Sequence, residues 1–154
     1  MEYQLQILNA STAARLVPLY RELARHHNEV SEHFGGSFPG VPVEDQLCEC
    51  VKDLSDGKAR VAIIEEQGEP VAFCKVDVAG DRGYLDELAV LPGHRGRGLG
   101  SQLMDWADGV FRECGVRQVE LRVVVGNDDA RRFYERRGFL PSVLEMKRLQ
   151  RDDR

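Results

Sequence analysis

Apolar and polar residues alternate from the start of the chain. Tyr3, Leu5 and Ile7 are separated by Gln4 and Gln6, the period-two pattern of a half-buried strand. Ser11 is then placed to cap a helix in which Leu16, Leu19, Tyr20 and Leu23 fall at helical spacing. Pro18 lacks an amide donor, so it should kink this helix or delay its start. Val43, Leu47, Val51 and Leu54 mark one face of a second helix, with Gly57 as its stop. Residues 33–42 between them hold three glycines and two prolines, and read as a loop because both flanks are amphipathic.

The period changes after Gly57. Ala59 to Glu66 and Val71 to Val78 read as strands joined by Gln67-Gly68-Glu69, an antiparallel hairpin. Tyr84 to Val90 follows as another strand. Asp86 and Glu87 stand side by side in that apolar run, so at least one carboxylate faces inward or the strand bulges. Beyond Pro92 comes a glycine-rich turn, then a helix with Leu99, Leu103, Trp106, Val110 and Phe111 in one stripe, closed by Gly115. A strand from Gln118 to Val125, a short helix from Gly126-Asn127-Asp128 to Gly138, and a closing strand from Val143 to Leu149 complete the order. A strand, helix and strand in succession require a parallel pair, whereas hairpins require antiparallel ones. The expected fold is therefore α/β (α+β) with a mixed sheet.

At 154 residues, 42% of them hydrophobic and 31% charged, the chain is expected to form one folded domain over 1–154 rather than a disordered or repetitive structure. Its longest apolar stretches, such as Val61 to Ile64 and Leu88 to Leu91, fall far short of the ~18 residues of a membrane span. Met1 to Gln6 lacks the basic and apolar regions of a signal peptide, so a soluble, cytoplasmic protein without membrane contact is expected. A net charge of −5 disfavours a nucleic-acid partner and suits a cationic small substrate. Cys48, Cys50, Cys74 and Cys114 lack the spacing of a zinc site; they are read as reduced, mostly buried thiols, and no metal is expected.

Arg95-Gly96-Arg97-Gly98-Leu99-Gly100 is the most informative segment. Glycines let an anion approach the backbone, and the first amides of a helix lack internal partners, so the turn aims donors at a phosphate or diphosphate. Arg95 and Arg97 add charge and Ser101 a hydroxyl. A nucleotide-binding P-loop would need lysine and then serine or threonine after its last glycine, and here Leu99 and Gly100 follow Gly98. A dinucleotide fingerprint would want glycine where Ser101 stands.

This segment, preceded by Leu88-Ala89-Val90, resembles the Arg/Gln-x-x-Gly-x-Gly/Ala signature of the GNAT N-acetyltransferase superfamily. Asn127, Ala130, Phe133, Tyr134, Gly138 and Phe139 resemble the family's later block, so the two cover about the last two-thirds of the chain. The resemblance implies a sheet of about six or seven strands flanked by about four helices, with strands four and five splayed around acetyl-coenzyme A as co-substrate. It makes residues 1–58 the acceptor side and 59–149 the coenzyme-binding core, with Leu88, Ala89, Val90, the 95–101 turn, Asn127, Ala130, Phe133 and Tyr134 as coenzyme contacts.

The implied reaction is attack of an amine, on a small molecule or a protein, on the thioester carbonyl. An amine of pKa ~10.4 is neutral about once in two thousand at pH 7, roughly 4.5 kcal/mol against attack, so a base is useful. Glu87 and Asp86 are the candidates, Glu87 favoured; adjacent on a regular strand, they face opposite ways and one points into the cleft. Tyr134 resembles the family's general acid for the departing thiolate, by proton transfer or by hydrogen bonding alone. The amides of Leu88 and Val90 would pair with the pantetheine arm, and Asn127 would contact the coenzyme or cap its helix. The acceptor is expected between His26 and Asp45, with His26, His27, Glu29, Glu32, His33, Glu44 and Asp45 as polar candidates. A catalytically inactive acyl-coenzyme A binding module is the alternative, and a nucleotide-dependent oxidoreductase a weaker third. An exposed closing strand could also pair two copies into a homodimer.

Overall fold

The computed structural model describes residues 2–150. Five strands form one sheet in the order β1-β2-β3-β4-β5: Tyr3–Leu8, Ala59–Glu66, Glu69–Ala79, Arg82–Val90 and Gln118–Leu121. The first three pairings are antiparallel and β4 pairs with β5 in parallel, so the sheet is mixed as expected. Four helices flank it: α1 (Val17–Val30), α2 (Val43–Ser55), α3 (Leu99–Glu113) and α4 (Asp128–Arg136).

β2 and β3 are buried on both faces, which explains their continuous apolar runs. One face, with Ile64, Cys74 and Val76, packs against Leu103, Met104 and Phe111 of α3. The other, with Val61, Ile63 and Phe73, meets Leu16, Leu19 and Tyr20 beneath α1, and Cys50 of α2. The helices of residues 1–58 thus pack on one face of the sheet and α3 on the other.

Several local expectations are corrected. Asn9, rather than Ser11, caps the first turn: its Oδ1 accepts from the Ser11 and Thr12 amides at 2.9 and 3.2 Å. A 3-10 turn at Ala13–Leu16 precedes α1, and Pro18 falls in the first helical turn, where no internal amide bond is lost. Pro18 thus delays the helix rather than kinking it. The sheet has five strands, not six or seven. β5 ends at Leu121 instead of Val125 because its pairing partner β4 diverges there. Residues 140–150 form no strand, although β5 leaves an open edge to the sheet. Leu140, Val143, Leu144, Met146 and Leu149 are left 74–88% exposed.

Two features position the site. In β4 the register against β3 shifts between Lys75, opposite Glu87, and Val76, opposite Leu85, so Asp86 is the extra residue of a β-bulge. The bulge reverses the alternation: Leu85 belongs to the α3 core and Ala89, four residues on, to the α1/α2 core. Secondly, the end of α1 is fastened to the chain beyond β5. The Glu32 amide donates to the Val125 carbonyl at 2.9 Å, and a Cβ at Gly126 would stand 2.1 Å from the Val30 carbonyl oxygen.

Candidate active site

Pairing of β4 with β5 stops at Leu85 and Leu121, and a cavity of about 720 Å3 opens where they part. Residues 85–90 line one wall and 121–124 the other. The Leu91 amide donates to Val71 of β3 at 2.8 Å, so by strand alternation the Leu88 and Val90 amides face the gap. The gap has the form of a sheet lacking one strand.

The glycine turn closes one end. Gly98 precedes α3 with φ 80° and ψ 8°, a left-handed conformation that glycine adopts without steric cost. The first α3 amides, at Leu99, Gly100 and Ser101, have no partner within the helix, and these residues line the cavity together with Arg95, Gly96 and Gly98. The arginines are not free charges. Arg95 donates from Nε to the Val90 carbonyl at 2.9 Å and lies 3.5 Å from Glu22. Arg97 is outside the lining and donates to the Tyr3 hydroxyl at 2.8 Å; that hydroxyl also contacts His94 Nδ1 at 3.0 Å.

α4 supplies the far wall. Asn127 Oδ1 accepts from the Ala130 amide at 3.3 Å, the helix-capping role, while Asn127 also borders the cavity with Ala130, Phe133 and Tyr134. Tyr134 is buried between Phe133 and Phe139, with ring centroids 5.3 and 5.8 Å away. Burial pushes its phenol above the ordinary range, so the hydroxyl is a hydrogen-bond donor rather than a ready proton source.

Because of the bulge, Asp86 and Glu87 both border the cavity on the α1/α2 face, in place of the opposed carboxylates expected of a regular strand. They differ in their partners. Asp86 accepts from Lys75 Nζ at 2.8 Å, whereas burial and then the Asp86 charge push the Glu87 carboxyl up to about 8. Lys75 opposes that rise.

Lys75 was missed by pattern reading. It is 4% exposed and its ammonium also meets Asp77 at 3.0 Å and Asp53 at 3.4 Å. Burial alone would depress it, but Asp86 and Asp77 outweigh that and hold it above the ordinary lysine range. The signal was a lysine and an aspartate two apart in the apolar run from Val71 to Val78.

Of the polar acceptor-side candidates, His26 and His27 line the cavity; Glu29, Glu32, His33, Glu44 and Asp45 do not. Tyr20, Glu22, Gln46 and Glu49 do so instead, from the inner faces of α1 and α2. Among the thiols Cys50 and Cys74 are buried and Cys114 partly so, but Cys48 is exposed. Among the described residues no cluster of His, Cys, Asp and Glu has the arrangement of a metal site, and no helix is long and apolar enough to cross a membrane.

A sequence profile of the acetyltransferase (GNAT) family matches residues 20–139, and the chain belongs to that family. Over 60 residues it is 43% identical to the aminoalkylphosphonate N-acetyltransferase of Salmonella typhimurium, an alignment covering 39% of each chain. Over 82 residues it is 33% identical to N-alpha-acetyltransferase 30 of Schizosaccharomyces pombe, covering 51% of this chain and 55% of that one. The aligned parts thus span well under two-thirds of these relatives. The PaiA N-acetyltransferase of Thermoplasma acidophilum, solved in complex with coenzyme A, superposes with a TM-score of 0.79 at 19% identity, covering 94% of both chains. At that identity the likeness concerns the fold.

Proposed function

We propose that this protein transfers the acetyl group of acetyl-coenzyme A to a primary amine of a small molecule or protein. The observation that carries the reading is the amide-lined gap between β4 and β5, with a glycine turn at one end and Glu87 on the opposite face. In this reading residues 59–149 hold the coenzyme and residues 1–58 form the acceptor wall. The pantetheine arm takes the place of the missing strand, and one of the Leu88 and Val90 amides polarises the thioester carbonyl. Glu87 removes the acceptor's proton, directly or through water. The amine nitrogen then bonds to the carbonyl carbon, the carbon–sulfur bond breaks, and the thiolate leaves toward Tyr134.

The test follows thiol release from acetyl-coenzyme A with a panel of amines, beside calorimetric binding. Binding without release above the uncatalysed rate would leave a non-catalytic acyl-coenzyme A module. Tyr134→Phe should lower kcat about 10-fold to 100-fold, the loss of one hydrogen bond to a charged leaving group, with coenzyme affinity unchanged; an unaltered kcat removes Tyr134 from that role. Gly98→Val should weaken acetyl-coenzyme A binding at least about tenfold, through strain at a left-handed position and a side chain where the phosphates approach. Undiminished affinity in the folded variant would show that the anion docks elsewhere.

The reading includes a homodimer in the cytoplasm, a reducing setting that fits four free thiols. The partner is a second copy, its 140–149 segment laid along the open β5 edge. Five apolar side chains of about 100 Å2 each give about 1,000 Å2 over two copies, enough for a specific interface. Light scattering should give twice the 17.4 kDa chain mass, and Val143→Lys with Met146→Lys should give one. A monomeric wild type contradicts the pairing.

A further inference from the structure

We propose that the acceptor is a diamine, or an amine with an equivalent second N–H donor group, and that it carries no phosphonate or carboxylate. Its distal nitrogen sits in a subsite formed by Gln46 and Glu49. This rests on the acetyl-transfer reading above and adds the chemical class of the amine.

On the α1/α2 side of the cavity Gln46 Oε1 is buried without any hydrogen-bond partner, and Tyr20 Oη is buried with only the Cys50 thiol beside it. Tyr20 is 1% exposed and lines the cavity together with Glu87, whose charge is the largest influence on its phenol after burial. Leaving such atoms unpaired is costly, so they are places where a ligand completes the bonding. Gln46 and Glu49 lie three residues apart on α2 and therefore share one helical face, and both border the same cavity. A carbonyl oxygen beside a carboxylate is a receptor for N–H groups.

The cations on this side are already engaged. Lys75 is held by Asp53, Asp77 and Asp86; Arg95 by Val90 and Glu22. Burial, followed by Arg95 for His26 and by His26 for His27, depresses both histidines, which are neutral at pH 7. On this side an acidic group on the acceptor would meet Glu49 and Asp86, because the remaining arginines of the lining, Arg122 and Arg136, belong to the β5 and α4 wall. A second ammonium would meet the Glu49 and Asp86 charges and the Gln46 carbonyl. The reacting nitrogen then lies near Tyr20 and Glu87, and the chain between the nitrogens runs past Leu23 and Val41, apolar members of the same wall.

The test is calorimetric titration of the coenzyme A-loaded protein with putrescine, butylamine and aminopropylphosphonate, so it does not depend on turnover. Putrescine should bind at least tenfold more tightly than butylamine, as expected for a charge-assisted contact, and aminopropylphosphonate more weakly than either. Glu49→Gln and Gln46→Leu should each bring the putrescine-to-butylamine ratio toward one without lowering the melting temperature. Preference for the phosphonate, or a ratio near one in the wild type, or one unmoved by both substitutions, overturns the proposal. Thiol release by the same amines reports separately on acetyl transfer.

Discussion

Glu87→Gln is expected to lower kcat by about 10²-fold to 10⁴-fold, the range for loss of a positioned general base, while leaving acetyl-coenzyme A affinity within about twofold. With its carboxyl pushed up to about 8, roughly a tenth of the wild-type molecules hold Glu87 ionised at pH 7. Wild-type kcat/KM should therefore rise with pH and level off above about 8, a limb that the glutamine variant lacks. The same shift has the opposite consequence for stability. The folded state binds this proton more tightly than the unfolded chain, whose glutamates titrate near ~4.3. The stabilisation is fully present below that pH and is lost as pH rises toward about 8. The glutamine variant, neutral throughout, should melt at a higher temperature than the wild type at pH 8.5. A rate within fivefold of wild type, with the alkaline limb intact, would transfer the base role elsewhere.

Lys75→Met should produce the largest loss of stability. It removes the one ammonium between Asp53, Asp77 and Asp86 and leaves the first two carboxylates, on residues 7% and 8% exposed, without the cation that pairs them, while Asp86 stays open to the cavity. Breaking a buried ion pair by deleting one partner costs about 3–5 kcal/mol. For a chain of this size that lowers the melting temperature by roughly 10 °C. Unpaired carboxylates recover by taking up protons, so their titration rises in the folded state and stability increases as pH falls. The deficit against wild type should be smaller at pH 5 than at pH 8, and melts at the two values measure it. Where the variant remains folded, loss of the Lys75 charge also moves the Glu87 limb to higher pH. Equal deficits at the two pH values would show that packing, not charge, dominates.

The first four strands and the four helices are legible from the period of their apolar residues, and one end of the cavity from the 95–101 turn. All of these are local signals. The ion cluster is not legible, because Lys75 draws its partners from Asp53, 22 residues away, and Asp86, 11 residues away. A lysine in isolation reads as a surface residue. Which polar residues of this region border the cavity is not legible from the loop: the helical period turns Glu22, Gln46 and Glu49 toward it and leaves Glu44 and Asp45 outside. Val143 to Leu149 shows that an apolar pattern reports a need for burial without saying what will supply it. For Asp86 and Glu87 the adjacency was visible, but the bulge that puts both on one side depends on how β3 aligns with β4.

The Val30 to Gly126 contact fixes how far apart the end of α1 and the chain beyond β5 stand. A hydrogen atom is the whole spacer at that point, since even a methyl group would overlap the Val30 oxygen. The spacing of these two segments is therefore held at its narrowest setting by the smallest possible side chain. Any larger residue at 126 would act as a wedge, prising the end of α1 away from the chain that leads from β5 into α4.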